Sequence, residues 1–143
     1  MAALVALAGN AVLGHLWYHP RPFVDHPKQT LLLVHHAADN SFPSDHTAVA
    51  FAVAVAVLAF HRRLGLLLVA VAAGVGLDRV LVGVHYPVDV LAGALVGSVA
   101  ALIVVSAGRR YVAWCVRLAS RVSDPVVSAI TRRIGTARRS LRG

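Results

Sequence analysis

The sequence predicts an all-α integral membrane protein: about four transmembrane helices followed by a basic amphipathic C-terminal tail. Three observations predict it. Of the 143 residues, 58% are hydrophobic and only 14% charged, with a mean hydropathy of +0.72, whereas soluble domains run at about 45–50% apolar and roughly 25% charged. The apolar residues fall in four long stretches, each close to the roughly 17–25 residues a helix needs to cross a bilayer. Within those stretches both alternating positions are apolar, which excludes a transmembrane barrel, whose strands alternate apolar with polar residues. The same hydrophobicity excludes disorder for most of the chain. A single cysteine, Cys115, leaves no internal disulfide and no cysteine-based metal cage.

The first stretch, residues 1–18, is interrupted only by Asn10 and His15. It lacks the basic start of a secretory signal, and its one Ala-x-Ala, Ala6 to Ala8, comes too early for cleavage. It therefore reads as a span. Residues 44–60 follow a polar loop; the Ala/Val alternation in 48–57 looks strand-like, but the length of the run favours a helix. The third stretch, 64–84, carries Asp78 and Arg79 near its end. The fourth, 87–107, carries Asp89 near its start and Gly93-x-x-x-Gly97, a small-residue spacing that lets helices pack closely. Pro43 and Pro87 stand where proline favours helix starts.

The charge divides the chain in two. Residues 109–143 hold nine Arg and one Asp, while the basic and acidic residues of 1–108 cancel. A membrane domain over 1–108 and a basic tail over 109–143 follow. In 109–122, Arg110, Arg117 and Arg121 share one helical face, with Tyr111, Cys115, Leu118 and Val122 opposite. That pattern suits a helix lying on an anionic leaflet, ending at a break at Asp124-Pro125. Nucleic acid is excluded as a partner, because the positive charge sits on a membrane-anchored tail without an aromatic platform. The tail and the His61-Arg62-Arg63 turn hold eleven of the fourteen basic residues, which places both in the cytoplasm. Trp17, Tyr18, Phe42 and Tyr86 then fall at the outer interface, and Tyr111 and Trp114 at the inner one, as interfacial aromatic belts do. Seven of the eight histidines lie towards the outer side.

Three outer segments carry chemistry: His19-Pro20-Arg21-Pro22-Phe23, Ser41 to His46, and Arg79 with Val84 to Asp89. Arg21 and Arg79 offer forked donors that match phosphate oxygens. Ser44 adds a hydroxyl, and helix N-termini add free N–H groups suited to an anion. His46 and His85 supply an acid/base and a nucleophile. Asp89, four residues after His85, is placed to hold that ring through its second nitrogen. His35-His36 with Asp39, Asp45 and His46 lacks the His-x-x-x-His spacing of a helical zinc pair. His26, His35 and His36 therefore read as loop residues or headgroup contacts, and no metal or other cofactor is expected.

In these residues the chain resembles the type 2 phosphatidic acid phosphatase superfamily. That family's motifs are Lys, six residues, Arg-Pro; Pro-Ser-x-His; and Ser-Arg, five residues, His, three residues, Asp. The second is complete as Pro43-Ser44-Asp45-His46, the third is present as Arg79, His85 and Asp89, and the first survives as Arg21-Pro22. The runs HPRPF, SFPSDHT and GVHYPVDV look most like the bacitracin-resistance type of undecaprenyl-diphosphatase. Gly14 stands where the family has its lysine, leaving His15 or His19 as substitutes, and Asp78 stands where it has serine. Asp78 is expected to point away from phosphate or to pair with a basic group.

The resemblance implies a multi-pass enzyme of the bacterial plasma membrane with an outward-facing site and a cytoplasmic C-terminus. It implies a lipid-diphosphate phosphatase acting on a polyprenyl or other lipid phosphate, undecaprenyl diphosphate first, through a phosphohistidine: His85 attacks phosphorus, Asp89 orients it, His46 serves the leaving group, and Arg21, Ser44 and Arg79 bind phosphate. Alternatives are phosphatidate or phosphatidylglycerophosphate as substrate, or a non-catalytic lipid-phosphate-binding protein. The resemblance also implies a six-helix bundle. Four spans, the first beginning at Met1, lead to the expectation that about two helices precede this sequence, and that the 143 residues alone are unstable or recruit a second copy.

Overall fold

The computed structural model describes residues 1–28, 30, 33 and 37–140, with side chains as far as residue 117. Among the described residues the only regular structure is helical: α1 (Ala2–Leu16), α2 (Pro22–Asp25), α3 (Asp45–Leu58), α4 (Arg62–Leu81) and α5 (Pro87–Ser140). Pro22 and Pro87 are the first residues of α2 and α5, where a missing N–H removes no helical bond and the fixed φ fits. Pro43 departs from the expectation. The α3 N-cap is Ser44, whose backbone N–H is taken by the Asp89 carbonyl at 3.0 Å, so the helix starts at Asp45.

Of the four expected spans, α4 and the part of α5 from Pro87 to Arg117 are long and apolar enough to cross a membrane. Only 17% and 22% of their apolar windows are buried, whereas a core helix of a soluble protein is mostly buried. α1 and α3 are shorter, at 15 and 14 residues. At ~1.5 Å per residue they reach roughly 21–23 Å, less than the ~30 Å of a bilayer core. The cause is local: Trp17 turns extended (φ −138°, ψ 107°) and ends α1 before His19-Pro20, and His61 is already outside α3, capping α4.

The interior is built from small side chains. Ala6, Ala48, Ala52 and Ala100 form the buried cluster, while Leu66, Leu67 and Val71 of α4 and Leu91, Leu95 and Leu102 of α5 are exposed. Large apolar residues outside and small ones inside is the arrangement of helices that associate by close backbone packing, without a hydrophobic drive from water. The Gly93–Gly97 pair makes that approach between α5 and α3. A Cβ on Gly97 would stand 2.1 Å from the Ala48 carbonyl oxygen, and one on Gly93 2.5 Å from that of Ser44. Asn10 of α1, itself buried, donates to Asp45 Oδ1 at 2.8 Å and ties α1 to the first turn of α3.

Residues 1–106 form one compact unit and residues 107–143 another. In the second, helical backbone continues to Ser140. Tyr111 and Trp114 are exposed with ring centroids 6.2 Å apart, and Arg117 Nε donates to the Ala113 carbonyl at 3.2 Å. The expected break at Asp124-Pro125 does not occur. An interior proline forfeits one hydrogen bond and strains one turn, a cost of about 3 kcal/mol, and here the ladder on either side carries the helix across it. The side chains of Leu118, Arg121 and Val122 lie outside the described residues.

Gly97→Ala is expected to lower the melting temperature in detergent by several degrees, as overpacking of about 1–3 kcal/mol does. Gly74→Ala, with nothing within 4 Å of the added carbon, is expected to leave it unchanged or slightly raised, alanine being the better helix former. Identical melting of the two variants would show that α3 and α5 do not meet at Gly97.

Candidate active site

The turn between α4 and α5 presents His85. Gly83, at φ 78°, reverses the chain after α4, and the N–H groups of Val84 and His85 both donate to the Arg79 carbonyl at 3.2 Å. Pro87 then starts α5, whose first turn carries Asp89. The Asp89 carboxylate is fully buried. Its Oδ1 lies 2.9 Å from His19 Nδ1, and its Oδ2 accepts from the Tyr86 N–H at 2.9 Å and the Ser41 hydroxyl at 2.5 Å. The direct contact expected between Asp89 and His85 is 3.8 Å, Oδ2 to Nδ1, too long for a hydrogen bond. Ser41 Oγ fills the gap, 3.2 Å from His85 Nδ1. The reason is geometric: Tyr86 N–H and Ser41 have already claimed the oxygen that faces the ring.

Arg21 caps α2 and is 5% exposed. Its Nε donates to Asp39 at 2.6 Å, its Nη1 donates to the Val84 carbonyl at 2.9 Å, and Nη1 lies 3.5 Å from His85 Nε2. The structure thus brings together Arg21, His85 and Asp89, from segments up to 68 residues apart. His46, in the first turn of α3, is exposed and lines an open cleft with Asp45, Val49, Ala50 and Val75.

Two expected phosphate ligands are turned elsewhere. The Ser44 hydroxyl is fully buried and accepts from Thr47 Oγ1 at 3.1 Å, because the bonded Ser44 backbone at the foot of α3 directs the side chain inward. The Arg79 guanidinium folds onto Asp78, with Nε donating to Oδ2 at 3.0 Å and Nη2 to the same oxygen. A carboxylate one residue away satisfies it before the site does, and only the Arg79 backbone reaches His85. Asp78 accordingly pairs with a basic group, and that group is its own neighbour.

Sequence reasoning assigned no role to Ser41 or Asn40, and it named His19 only as a substitute for the family lysine. Asn40 is a clasp: its Nδ2 donates to the carbonyls of Gly14 (2.8 Å) and Trp17 (3.2 Å), and its Oδ1 accepts from the N–H groups of His19 (2.9 Å) and Phe42 (3.2 Å). The Ser41 N–H donates to the His19 carbonyl at 2.8 Å. An asparagine beside a proline turn was the only available signal, and it names no partner. Gly14 fits the same clasp. A Cβ there would stand 3.2 Å from the Phe42 carbonyl oxygen and 3.3 Å from Asn40 Nδ2, so the loop takes the space at the family's lysine position. Of the two proposed substitutes, His15 is exposed, and His19 meets Asp89 and stacks on Tyr86 at 4.8 Å. The Tyr86 hydroxyl donates to Asp25 at 3.3 Å; burial and that carboxylate push its pKa above the ordinary tyrosine value. His26 lies 3.5 Å from Asp25. His35 and His36 lie outside the described residues.

Comparison with known proteins identifies relatives of this chain. A family model described as the PAP2 superfamily matches residues 1–112. Undecaprenyl-diphosphatase BcrC of Bacillus subtilis is 45% identical over 101 residues, covering 68% of this chain and 51% of that protein. Bacitracin transport permease protein BcrC of Bacillus licheniformis is 41% identical over 104 residues, covering 73% and 51%. The chain therefore spans about half the length of the curated relatives it matches. Among solved structures, the crystal structure of Aquifex aeolicus LpxE superposes with a TM-score of 0.64 at 32% identity, over 71% of this chain and 61% of that one.

Asn40→Ala strands four backbone groups at once. Each unsatisfied buried group costs about 1–3 kcal/mol, discounted here because Asn40 is partly exposed. The expected result is a melting temperature several degrees lower and faster amide exchange at His19 and Phe42. Unchanged exchange at both would show that the clasp is not made.

Proposed function

The chain belongs to the PAP2 superfamily, and from that premise we propose that it is a membrane lipid-diphosphate phosphatase that hydrolyses undecaprenyl diphosphate to undecaprenyl phosphate through a phosphohistidine. One observation carries the reading: a buried histidine, His85, backed by a buried carboxylate on one side and facing a buried arginine on the other. A nucleophile needs its lone pair aimed at phosphorus and its developing positive charge stabilised. Asp89 supplies the second, and Arg21 beside Nε2 supplies a donor for the equatorial phosphoryl oxygens, where charge spreads in phosphoryl transfer.

In the first half-reaction His85 Nε2 bonds to the terminal phosphorus. The anhydride P–O bond breaks, its electron pair leaves on the oxygen of the lipid monophosphate, and His46 delivers a proton to that oxygen. In the second, His46 takes a proton from water and the water oxygen attacks phosphorus. The N–P bond then breaks, releasing inorganic phosphate and restoring neutral His85. The first turn of α3 opens at Ser44, and a helix N-terminus suits an anion. Arg79 joins the site when phosphate takes its guanidinium from Asp78, an exchange between two anions for a partly exposed cation. Ser44 holds the foot of α3 in the conformation described and reaches phosphate only by rotating its hydroxyl away from Thr47.

The placement follows from the charges. The 61–63 turn and the Arg-rich tail face the cytoplasm, the tail lies on anionic lipid, and the histidine site opens on the outer side of a multi-pass bundle, where the diphosphate headgroup would stand.

The test is phosphate release from undecaprenyl diphosphate by the purified protein in detergent. Turnover is expected with and without chelator. His85→Ala should reduce it to background, and Asp89→Asn should cost on the order of 10⁴-fold, as in a triad that loses its carboxylate. Rapid quenching should trap acid-labile phosphate on wild type and none on His85→Ala. Faster release from phosphatidate or phosphatidylglycerophosphate would reassign the substrate. Tight binding of lipid phosphate without release would leave a binding protein only.

A further inference from the structure

We infer that Ser41 is a positioning residue, its hydroxyl carrying the link between Asp89 and His85 and setting which nitrogen of His85 holds the proton. The inference rests on the reading of His85 as nucleophile, and Ser41 itself touches no reacting atom.

A serine hydroxyl has one hydrogen and two lone pairs, and an ionised carboxylate only accepts. Ser41 Oγ is 2.5 Å from Asp89 Oδ2, so its hydrogen goes to Asp89; any other arrangement would press two oxygen lone pairs together. What faces His85 at 3.2 Å is then a lone pair, and Nδ1 must be the donor. A neutral ring protonated on Nδ1 has its lone pair on Nε2. The other side of the ring requires the same tautomer independently: the Arg21 guanidinium carries only donors, and its Nη1 stands 3.5 Å from Nε2. Both neighbours leave Nε2 as the free base.

The relay is fixed in place. Ser41 is 0% exposed, its N–H is held by the His19 carbonyl, and Asn40 beside it is clasped at both ends. Asp89 does not replace it directly: its Oδ2 stands 3.8 Å from His85 Nδ1, and the carboxylate is held where it is by His19 and the Tyr86 N–H. When His85 becomes cationic on phosphorylation, the Nδ1–H···Oγ–H···Oδ2 chain polarises towards Asp89. No proton crosses it, so His85 keeps its Nδ1 proton throughout and is ready again when the N–P bond breaks.

The test combines turnover with the ¹⁵N shifts of the His85 ring. Ser41→Ala is expected to lower kcat by about 10–100-fold, the range for a partner that orients a functional histidine, with KM within about threefold. Ser41→Thr, which keeps the hydroxyl, should recover most of that loss. Because Ser41 acts through Asp89, the Ser41→Ala/Asp89→Asn double variant should be no more than about threefold slower than Asp89→Asn alone. In wild type the ring should read as protonated on Nδ1 only, and in Ser41→Ala as a mixture of tautomers. Losses that multiply in the double variant, or an unchanged tautomer in Ser41→Ala, would overturn the inference and leave Ser41 as packing. If wild type releases no phosphate at all, the phosphatase reading fails, while the ¹⁵N shifts still decide whether Ser41 sets the tautomer.

Discussion

Asp89 is a carboxylate with no contact to water, and the site is organised by what a buried charge demands. An ion taken out of water is tolerable only when its oxygens are matched by donors. The donors come from three separate segments: His19 after α1, Ser41 in the loop before α3, and Tyr86 in the turn before α5. Satisfying one side chain therefore draws three loops to one point. Arg21 and His85 come with them, since Arg21 bonds the Val84 carbonyl in the same turn.

That convergence is possible because the helices come close. Asp89 belongs to α5, Ser41 to the approach to α3, and their junction is sealed by the Ser44 N–H on the Asp89 carbonyl. The backbones can meet there only because Gly93 and Gly97 present no side chain to α3. Small residues along one stripe of α5 thus shape the site at a distance: they set the depth at which the carboxylate meets its donors. Large apolar side chains on the outward faces are free to contact lipid, which asks nothing of them but hydrophobicity.

The two departures from the family motifs have separate physical accounts. At Gly14 the chain has exchanged a long cation for close packing of the 40–42 loop, and that loop carries Ser41. At Asp78 it has placed an anion beside Arg79, which holds the guanidinium outside the cluster around His85. The first shapes the loop that carries Ser41; the second occupies a side chain whose forked donors suit phosphate.

The sequence by itself determined the helical class, because hydropathy over a window is a local sum and needs no partner. It also determined the start of α5 at Pro87, since proline's fixed φ and missing N–H act within one residue, and the proximity of His85 and Asp89, one helical turn apart. The tertiary structure alone decided how those two communicate. A 3.8 Å gap and a serine 44 residues upstream of His85 are not periodic signals, and Ser41 looks like any loop serine until α3 and α5 are packed. The same holds for Ser44 and Arg79, whose residue types suit phosphate, but Ser44 accepts from Thr47 and Arg79 donates to Asp78. A motif records which groups are present; which partner each group takes depends on competition among all donors and acceptors within about 3 Å, and that neighbourhood exists only in the folded chain.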